Sequence, residues 1–281
     1  MRTLGLVVVA IGFSSPAFAQ QVPQQAYYLG VGGSANLVNF SDQKVSMTGI
    51  SNVYNTATGA FESSGMASGP PTVLGLDSGS TIAPVVQAGY FQHFGANPWM
   101  WGAKASYAYT NAASTSRPFD IPQYGAYGST PFTGNAISQS FQASLVQQFA
   151  FVPYLGYSFG RTYVYLGGGP TLSQMNTKLT NLVGFADLNG TRTDISGTPQ
   201  SFSSSKWVVG GEASIGATVF LTSSWFLDFN YTLGFTGTSN ASYYSSFKTV
   251  SSARTYEGQL IGSSSGSDMS QAFAVTLNRA F

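Results

Sequence analysis

The chain has 281 residues, carries 11 basic and 10 acidic side chains for a net charge of +1, and is only 7% charged, against roughly 25% in an ordinary soluble domain. Aromatics at 15% exclude a disordered chain, and the balanced charge leaves no basic field to hold nucleic acid. Beyond residue 20 no run of roughly 18 apolar residues could cross a bilayer as a helix, so apolar groups that are everywhere but never continuous point to strands with one apolar face.

Residues 1–19 read as a secretory signal: Arg2 starts it, apolar residues fill 4–13, and Ala17-Phe18-Ala19 is an A-x-A cleavage box. Cleavage there removes Arg2, leaves the product neutral, and makes residues 20–281 one domain. With no Cys, no disulfide frame can replace a core.

Strict period-two alternation then recurs eight times. In 27–40, Tyr27, Leu29, Val31, Ala35 and Leu37 oppose Gly30, Gly32, Ser34 and Asn36. In 82–94, Val86, Ala88, Tyr90 and Phe94 oppose Gln87, Gly89 and His93. In 99–111, Trp99, Trp101, Ala103, Ala105, Tyr107 and Tyr109 oppose Gly102, Lys104 and Ser106. The longest run, 139–159, carries Phe141, Ala143, Leu145, Phe149, Phe151, Leu155, Tyr157 and Phe159 in one phase. Pro153 lies inside it, lacks an N–H for the ladder, and is the expected place for a bulge or bend. In 162–174, Val164, Leu166, Pro170 and Leu172 oppose Tyr163 and Tyr165. In 204–221, Trp207, Val209, Ile215 and Val219 oppose Lys206, Gly210, Glu212, Gly216 and Thr218. In 225–236, Trp225, Leu227, Phe229 and Tyr231 oppose Asp228, Asn230 and Thr232. The last, 270–281, sets Phe273, Val275, Leu277 and Phe281 against Ala274, Thr276 and Asn278.

Three connections are tight (94–99, 159–162 and 221–225). Four are long and rich in Ser, Thr, Gly and Asn (41–81, 112–138, 175–203 and 237–269), and these hold most of the charged residues. Short turns at one end and long polar loops at the other predict an all-β, transmembrane, eight-stranded antiparallel up-and-down barrel with four long extracellular loops and both termini in the periplasm. Ten strands is the alternative if the first loop adds a membrane hairpin. A lipocalin-like soluble barrel would need a charged exterior that this chain lacks. About ten residues at roughly 3.3 Å each, tilted roughly 40°, rise about 25 Å, the height of the apolar band in such barrels. Aromatics fall at two levels, as interfacial girdles do: Phe94, Trp99, Trp101, Tyr157, Phe159, Trp225 and Phe281 near the short turns, and Tyr107, Tyr109, Phe141, Trp207 and Phe235 toward the loops. Segments 44–54 and 245–254 are candidates to continue the strands above the membrane.

The run Lys206-Trp-Val-Val-Gly-Gly-Glu-Ala-Ser-Ile-Gly-Ala217, a short gap, then Trp225-Phe-Leu-Asp-Phe-Asn-Tyr231 resembles the late hairpin of small Gram-negative outer-membrane proteins of the opacity and surface-antigen class, relatives of OmpA-type barrels. Val152-Pro-Tyr-Leu-Gly-Tyr157 and Tyr163-Val-Tyr-Leu-Gly-Gly168 are similar to the same class. The resemblance implies inward acids at Glu212 and Asp228 and a terminal Phe281 read as the signal of the barrel-assembly machinery. Here Leu277-Asn-Arg-Ala-Phe281 replaces the more usual aromatic-Arg-Phe finish.

Parity places few ionisable groups inside: Lys104, Lys206, Glu212, Asp228 and His93. The third and seventh strands face each other across an eight-stranded ring, so Lys104 and Asp228 can meet in the lumen with Glu212 nearby. That cluster is expected to act as a structural brace, with an ion gate as its rival. Inward Tyr154, Tyr163, Tyr165, Phe91 and Phe226 occupy much of so narrow an interior, and Gly30, Gly32, Gly102, Gly210 and Gly216 make room for them. His93 is the single histidine, with no visible Ser–acid partner, so no catalytic site is expected. One His and no Cys give no metal-ligand spacing and no cofactor is implied, while Gly167-Gly168-Gly169 lacks the Lys-Ser/Thr and helix of a phosphate loop. Arg279 has outward parity and is expected to snorkel to the periplasmic interface, with a lipid headgroup contact as the alternative. Asn55, Tyr124, Asn189, Tyr243 and Tyr244 sit in Ser/Gly-rich loop sequence whose composition is that of adaptable binding loops and equally that of exposed hairpin extensions.

The expected protein is a non-enzymatic bacterial outer-membrane surface protein that supports envelope integrity. Its expected partners are outer-membrane lipid, lipopolysaccharide, the barrel-assembly machinery and host or cell-surface ligands reached through the loops. A narrow porin-like channel for small or hydrophobic solutes is the alternative.

Overall fold

Alternation of apolar with small or polar residues draws the chain into strands in the computed structural model, which describes residues 22–188, 190–194, 196 and 198–281. The signal segment and its cleavage box lie outside the described residues, as does Asn189. The strands are β1 (Gln25–Asn55), β2 (Phe61–Ser68), β3 (Thr72–Leu74), β4 (Gly79–His93), β5 (Trp99–Ala108), β6 (Ala112–Thr115), β7 (Phe119–Tyr127), β8 (Thr130–Ser138), β9 (Ser140–Phe159), β10 (Thr162–Leu188), β11 (Thr191–Asp194), β12 (Gln200–Phe220), β13 (Trp225–Thr236), β14 (Ser239–Val250) and β15 (Arg254–Ala280).

Eight of these close a ring in the order β1–β4–β5–β9–β10–β12–β13–β15 and back to β1, every pair antiparallel. The closing pair runs from Tyr28 opposite Ala280 to Asn55 opposite Arg254, shifted once where Asp42 takes φ 52°. The first long connection adds no strand to this ring, because β2 and β3 pair with β1 above it. At the short-turn end Gly95 and Gly160 supply the positive φ that the hairpins need.

Outside the ring the predicted apolar face is bare: Leu29, Val31, Leu155, Leu166, Val209 and Ile215 each expose more than half of their surface. Apolar area left in water costs about 25 cal/mol per Å², so a belt of this kind belongs in hydrocarbon. There the closed ladder satisfies every backbone group that lipid could not. Both girdles are present, with Trp99, Phe159 and Phe281 exposed at the short-turn end and Tyr109, Trp207 and Phe235 at the other.

Above the upper girdle the polarity inverts. The four long connections are built largely of strand, joined in the order β14–β15–β1–β2–β7–β8–β10. Val45, Met47, Ile121, Leu179, Leu182 and Phe247 point into this extension and pack as one apolar core, while Ser, Thr and Asn face out. Water replaces lipid outside, so the apolar face turns inward.

That inversion corrects the reading of 139–159 as one phase. Gln147 pairs with Gln174 but Leu145 pairs with Met175, leaving Val146 as an unpaired bulge residue. Below it Phe149 and Phe151 face lipid. Above it Phe141, Ala143 and Leu145 are buried in the extension's core, so Phe141 is no girdle residue. Pro153 keeps the regular register, opposite Ala103, and the bulge lies seven residues earlier.

Candidate functional site

Inward side chains stack in the lumen as layers. The floor, at the short-turn end, is aromatic: Tyr28, Phe91, Tyr154, Tyr163, Tyr165, Phe220 and Phe226 are all buried, with ring centroids such as Phe220–Phe226 at 4.9 Å and Tyr28–Phe226 at 5.3 Å. The segment before β1 crosses beneath them. Its buried Val22 donates its N–H to the Gly160 carbonyl, 3.2 Å away in the β9–β10 turn on the far side of the ring. The rings fit because glycines stand opposite them. Tyr165 faces Gly216, Tyr154 faces Gly102 and Tyr28 faces Gly89 in the ladder. A Cβ on Gly216 would lie 2.3 Å from the Tyr165 ring. Gly216→Ala is therefore expected to displace that ring and lower stability by about 1–3 kcal/mol, read as an earlier urea midpoint for the folded gel band.

Directly above the rings, Lys104 of β5 and Asp228 of β13 meet across the lumen, Nζ to Oδ2 3.8 Å, both almost fully buried. The Tyr165 hydroxyl joins them: it accepts from Lys104 Nζ at 2.9 Å and donates to Asp228 Oδ1 at 2.9 Å. Thr218 donates to Asp228 Oδ1 at 3.2 Å. Gln87 Nε2 reaches Asp228 Oδ2 at 3.3 Å and the side chains of Thr276 and Asn278 at 2.8 Å each. A carboxylate taken out of water is stabilised by such a network, since unpaired burial costs several kcal/mol.

Glu212 stands apart from that pair. It is half-buried and accepts from Gln148 Nε2 at 3.3 Å, across a cavity of about 70 Å³ that it shares with Lys104, Asn36, Gln148, Asn230 and Ser270. The cavity has room for a few waters. Lys206, expected inside, is exposed although its ladder partner Met175 is buried. Its strand has no β13 partner above Gly210, and its long stem carries the ammonium out through that open side.

His93 is buried at the short-turn rim and does have a serine, Ser158, whose Oγ lies 2.8 Å from Nε2. Nδ1 lies 3.2 Å from the Gln24 carbonyl oxygen, so the third position of a Ser–His–acid array holds a backbone carbonyl. Ser158 Oγ also lies 3.2 Å from the Pro98 carbonyl. The histidine thus ties the crossing segment to two turns. Arg279 lies over Trp225 at 5.9 Å and Phe281 at 5.3 Å, at the lower girdle, and the Phe281 N–H bonds the Tyr27 carbonyl at 2.8 Å.

Of the loop residues, Tyr124 and Tyr244 are exposed, whereas Tyr243 is buried with its hydroxyl 2.8 Å from Thr177 and 2.7 Å from Ser264. Asn55 caps a turn by accepting from the N–H groups of Ala57 and Thr58. Among the described residues no three His, Cys, Asp or Glu side chains gather as metal ligands would. The relay role of Tyr165, the serine beside His93 and the buried Asp268, whose Oδ2 accepts from Thr236 Oγ1 at 3.1 Å, escaped the sequence reading. Tyr165 and Ser158 carried inward parity, but nothing in one chain's order says which inward groups touch.

No family model matches the chain, and no curated protein matches it either. Among solved structures it is similar to Ail, the attachment invasion locus protein of Yersinia pestis, at 9% identity and a TM-score of 0.26, covering 84% of this chain and 98% of that one. It is also similar to the outer membrane protease OmpT of Escherichia coli, at 8% identity and a TM-score of 0.27, covering 91% and 97%. Overlap this loose carries no weight of its own. What stands is the eight-membered antiparallel ring with its bare apolar belt: the chain forms a transmembrane β-barrel of the outer-membrane kind.

Proposed function

We propose that this barrel is a non-enzymatic, closed scaffold that supports envelope integrity and holds a β-built extension at the cell surface for contact with host, phage or neighbouring cells. The observation that supports this is the filling of the lumen at three heights: the aromatic floor, the Lys104–Tyr165–Asp228 brace, and the apolar core of the extension. The polar cavity lies between the brace and that core, with Lys104 and Glu212 on its wall below and Leu145 of the core above. Eight strands leave an interior only wide enough for side chains.

A contact role for the extension draws support from its outer surface. Met66 stands opposite Ile50 and Ile261 opposite Tyr244 in the ladder, and all four are exposed well above the lipid belt, with Tyr124 beside them. A shared apolar row outside the membrane is what a partner surface requires.

Planar-bilayer recording of refolded protein tests the closed scaffold. No regular unitary steps are expected, and steps of constant size would overturn the reading in favour of a narrow channel. Lipid A mass spectra from cells with and without the protein test the absence of enzymatic activity; unchanged spectra are expected.

A further inference from the structure

The outer wall just above the upper girdle holds a cleft of about 300 Å³ whose lining residues are all Ser, Thr, Asn, Gln or Lys. Its floor is set by register. Ser144, Asn176 and Ser205 lie side by side on β9, β10 and β12, and one rung higher on the same face lie Gln142, Lys178 and Ser203. The next rung down holds Gln147, Gln174 and Trp207, and below that Phe149, Leu172 and Val209 begin the lipid belt. Two to four residues at roughly 3.3 Å, tilted roughly 40°, put the cleft about 5–10 Å above the Trp207 level. That is the depth of lipid headgroups, and the Trp207 and Phe149 rings, 5.9 Å apart, mark the boundary beneath.

The cleft is organised before anything binds. A chain of side-chain hydrogen bonds climbs from the girdle: Tyr107 Oη to Gln147 Oε1 at 2.6 Å, Gln147 Nε2 to Gln174 Oε1 at 2.6 Å, and Gln174 Nε2 to Ser205 Oγ at 2.8 Å. Two groups are left unused. Asn176 Oδ1 is buried with no donor, and the Lys178 ammonium, exposed, has no carboxylate within ion-pair distance among the described residues. Hydroxyls and amides in a cluster suit the hydroxyls of a sugar, and one free ammonium suits a phosphate.

We propose that this cleft binds the phosphorylated sugar head of an outer-leaflet glycolipid, whose acyl chains then lie over Phe149, Leu172 and Trp207. Lys178 meets the phosphate, the Asn176 amide rotates its unpartnered Oδ1 outward to accept from a sugar hydroxyl, and Ser203 and Ser205 supply the remaining bonds. A free sugar would leave the aromatic boundary unused, and a phosphodiester lipid would leave the amide and hydroxyl rungs unused. The site rests on the outer-membrane surface orientation proposed above.

The test uses the full protein inserted in phosphatidylcholine nanodiscs, with insertion checked first by heat-modifiable gel migration. Native mass spectrometry then measures retention of bis-phosphorylated lipid A, its dephosphorylated form and phosphatidylglycerol. The bis-phosphorylated lipid is expected to bind at least tenfold tighter than either of the others. Lys178→Gln should erase most of that preference, Asn176→Leu should weaken both lipid A forms several-fold, and Lys248→Gln, far up the extension, should change nothing. Equal binding of the three lipids, or an unchanged preference in Lys178→Gln, would overturn the site while leaving the barrel intact. Failure to insert at all would overturn the orientation and the site with it.

Discussion

Lys104→Met is expected to lower the stability of the folded barrel by about 3–5 kcal/mol, because it leaves the Asp228 carboxylate buried without its cation. Three donors remain on that carboxylate, from Tyr165, Thr218 and Gln87, yet none carries a charge. Adding Asp228→Asn to Lys104→Met should recover much of the loss, since a neutral amide still accepts from Tyr165 and Thr218 and no buried charge is then unpaired. Tyr165→Phe should cost about 1.5–3 kcal/mol, the usual worth of hydrogen bonds to charged groups, by removing the hydroxyl that serves both ions. Urea midpoints of the folded gel band measure all three. Planar-bilayer current should stay silent throughout. Current appearing in Lys104→Met with stability unchanged would make the pair a gate and not a brace.

The second large effect separates two phenylalanines of one strand. Phe141→Ala should destabilise the extension by about 3–5 kcal/mol, because its ring is fully buried in a packed core. Phe151→Ala, ten residues on and of the same parity, should cost far less, because that ring faces lipid. Limited trypsinolysis of inserted protein reads the difference: Phe141→Ala should be cut rapidly in the extension, at Lys178 or Arg192, while the membrane-embedded fragments stay protected. Deleting Val146 should be worse than either, since it removes the extra residue that lets one strand keep apolar groups toward lipid below and toward the core above.

Much of this was legible in the chain. Period-two alternation located all eight ring strands, and parity put Lys104 and Asp228 inside with the tyrosine rings. Opposition of the third and seventh strands then brought the two charges within 3.8 Å. Parity failed where a single residue changed the count. Phe141, Ala143 and Leu145 look continuous with Phe149 in sequence, and only the ladder shows the extra residue between them. In the long connections Ser and Gly read as polar loops with 44–54 and 245–254 as candidates to continue the strands; those segments are strand, and strand runs through most of the rest as well. There the outward face of each strand is hydrophilic and the inward face is sparsely apolar, as in Ala241, Tyr243 and Phe247. Lys206 shows a third limit: parity assigns a wall position, but an unpaired strand edge lets a long side chain leave.

The ladder between β1 and β15 has a mechanical consequence. It runs from the membrane floor to the outermost turn on two strands of 31 and 27 residues, shifted only at the Asp42 bulge. Traction on the outer tip is therefore borne by covalent main chain rooted in the bilayer, with the rungs between the strands loaded together along their length. A hinged head would yield at its joint under fluid drag. This one passes the load straight to its anchor.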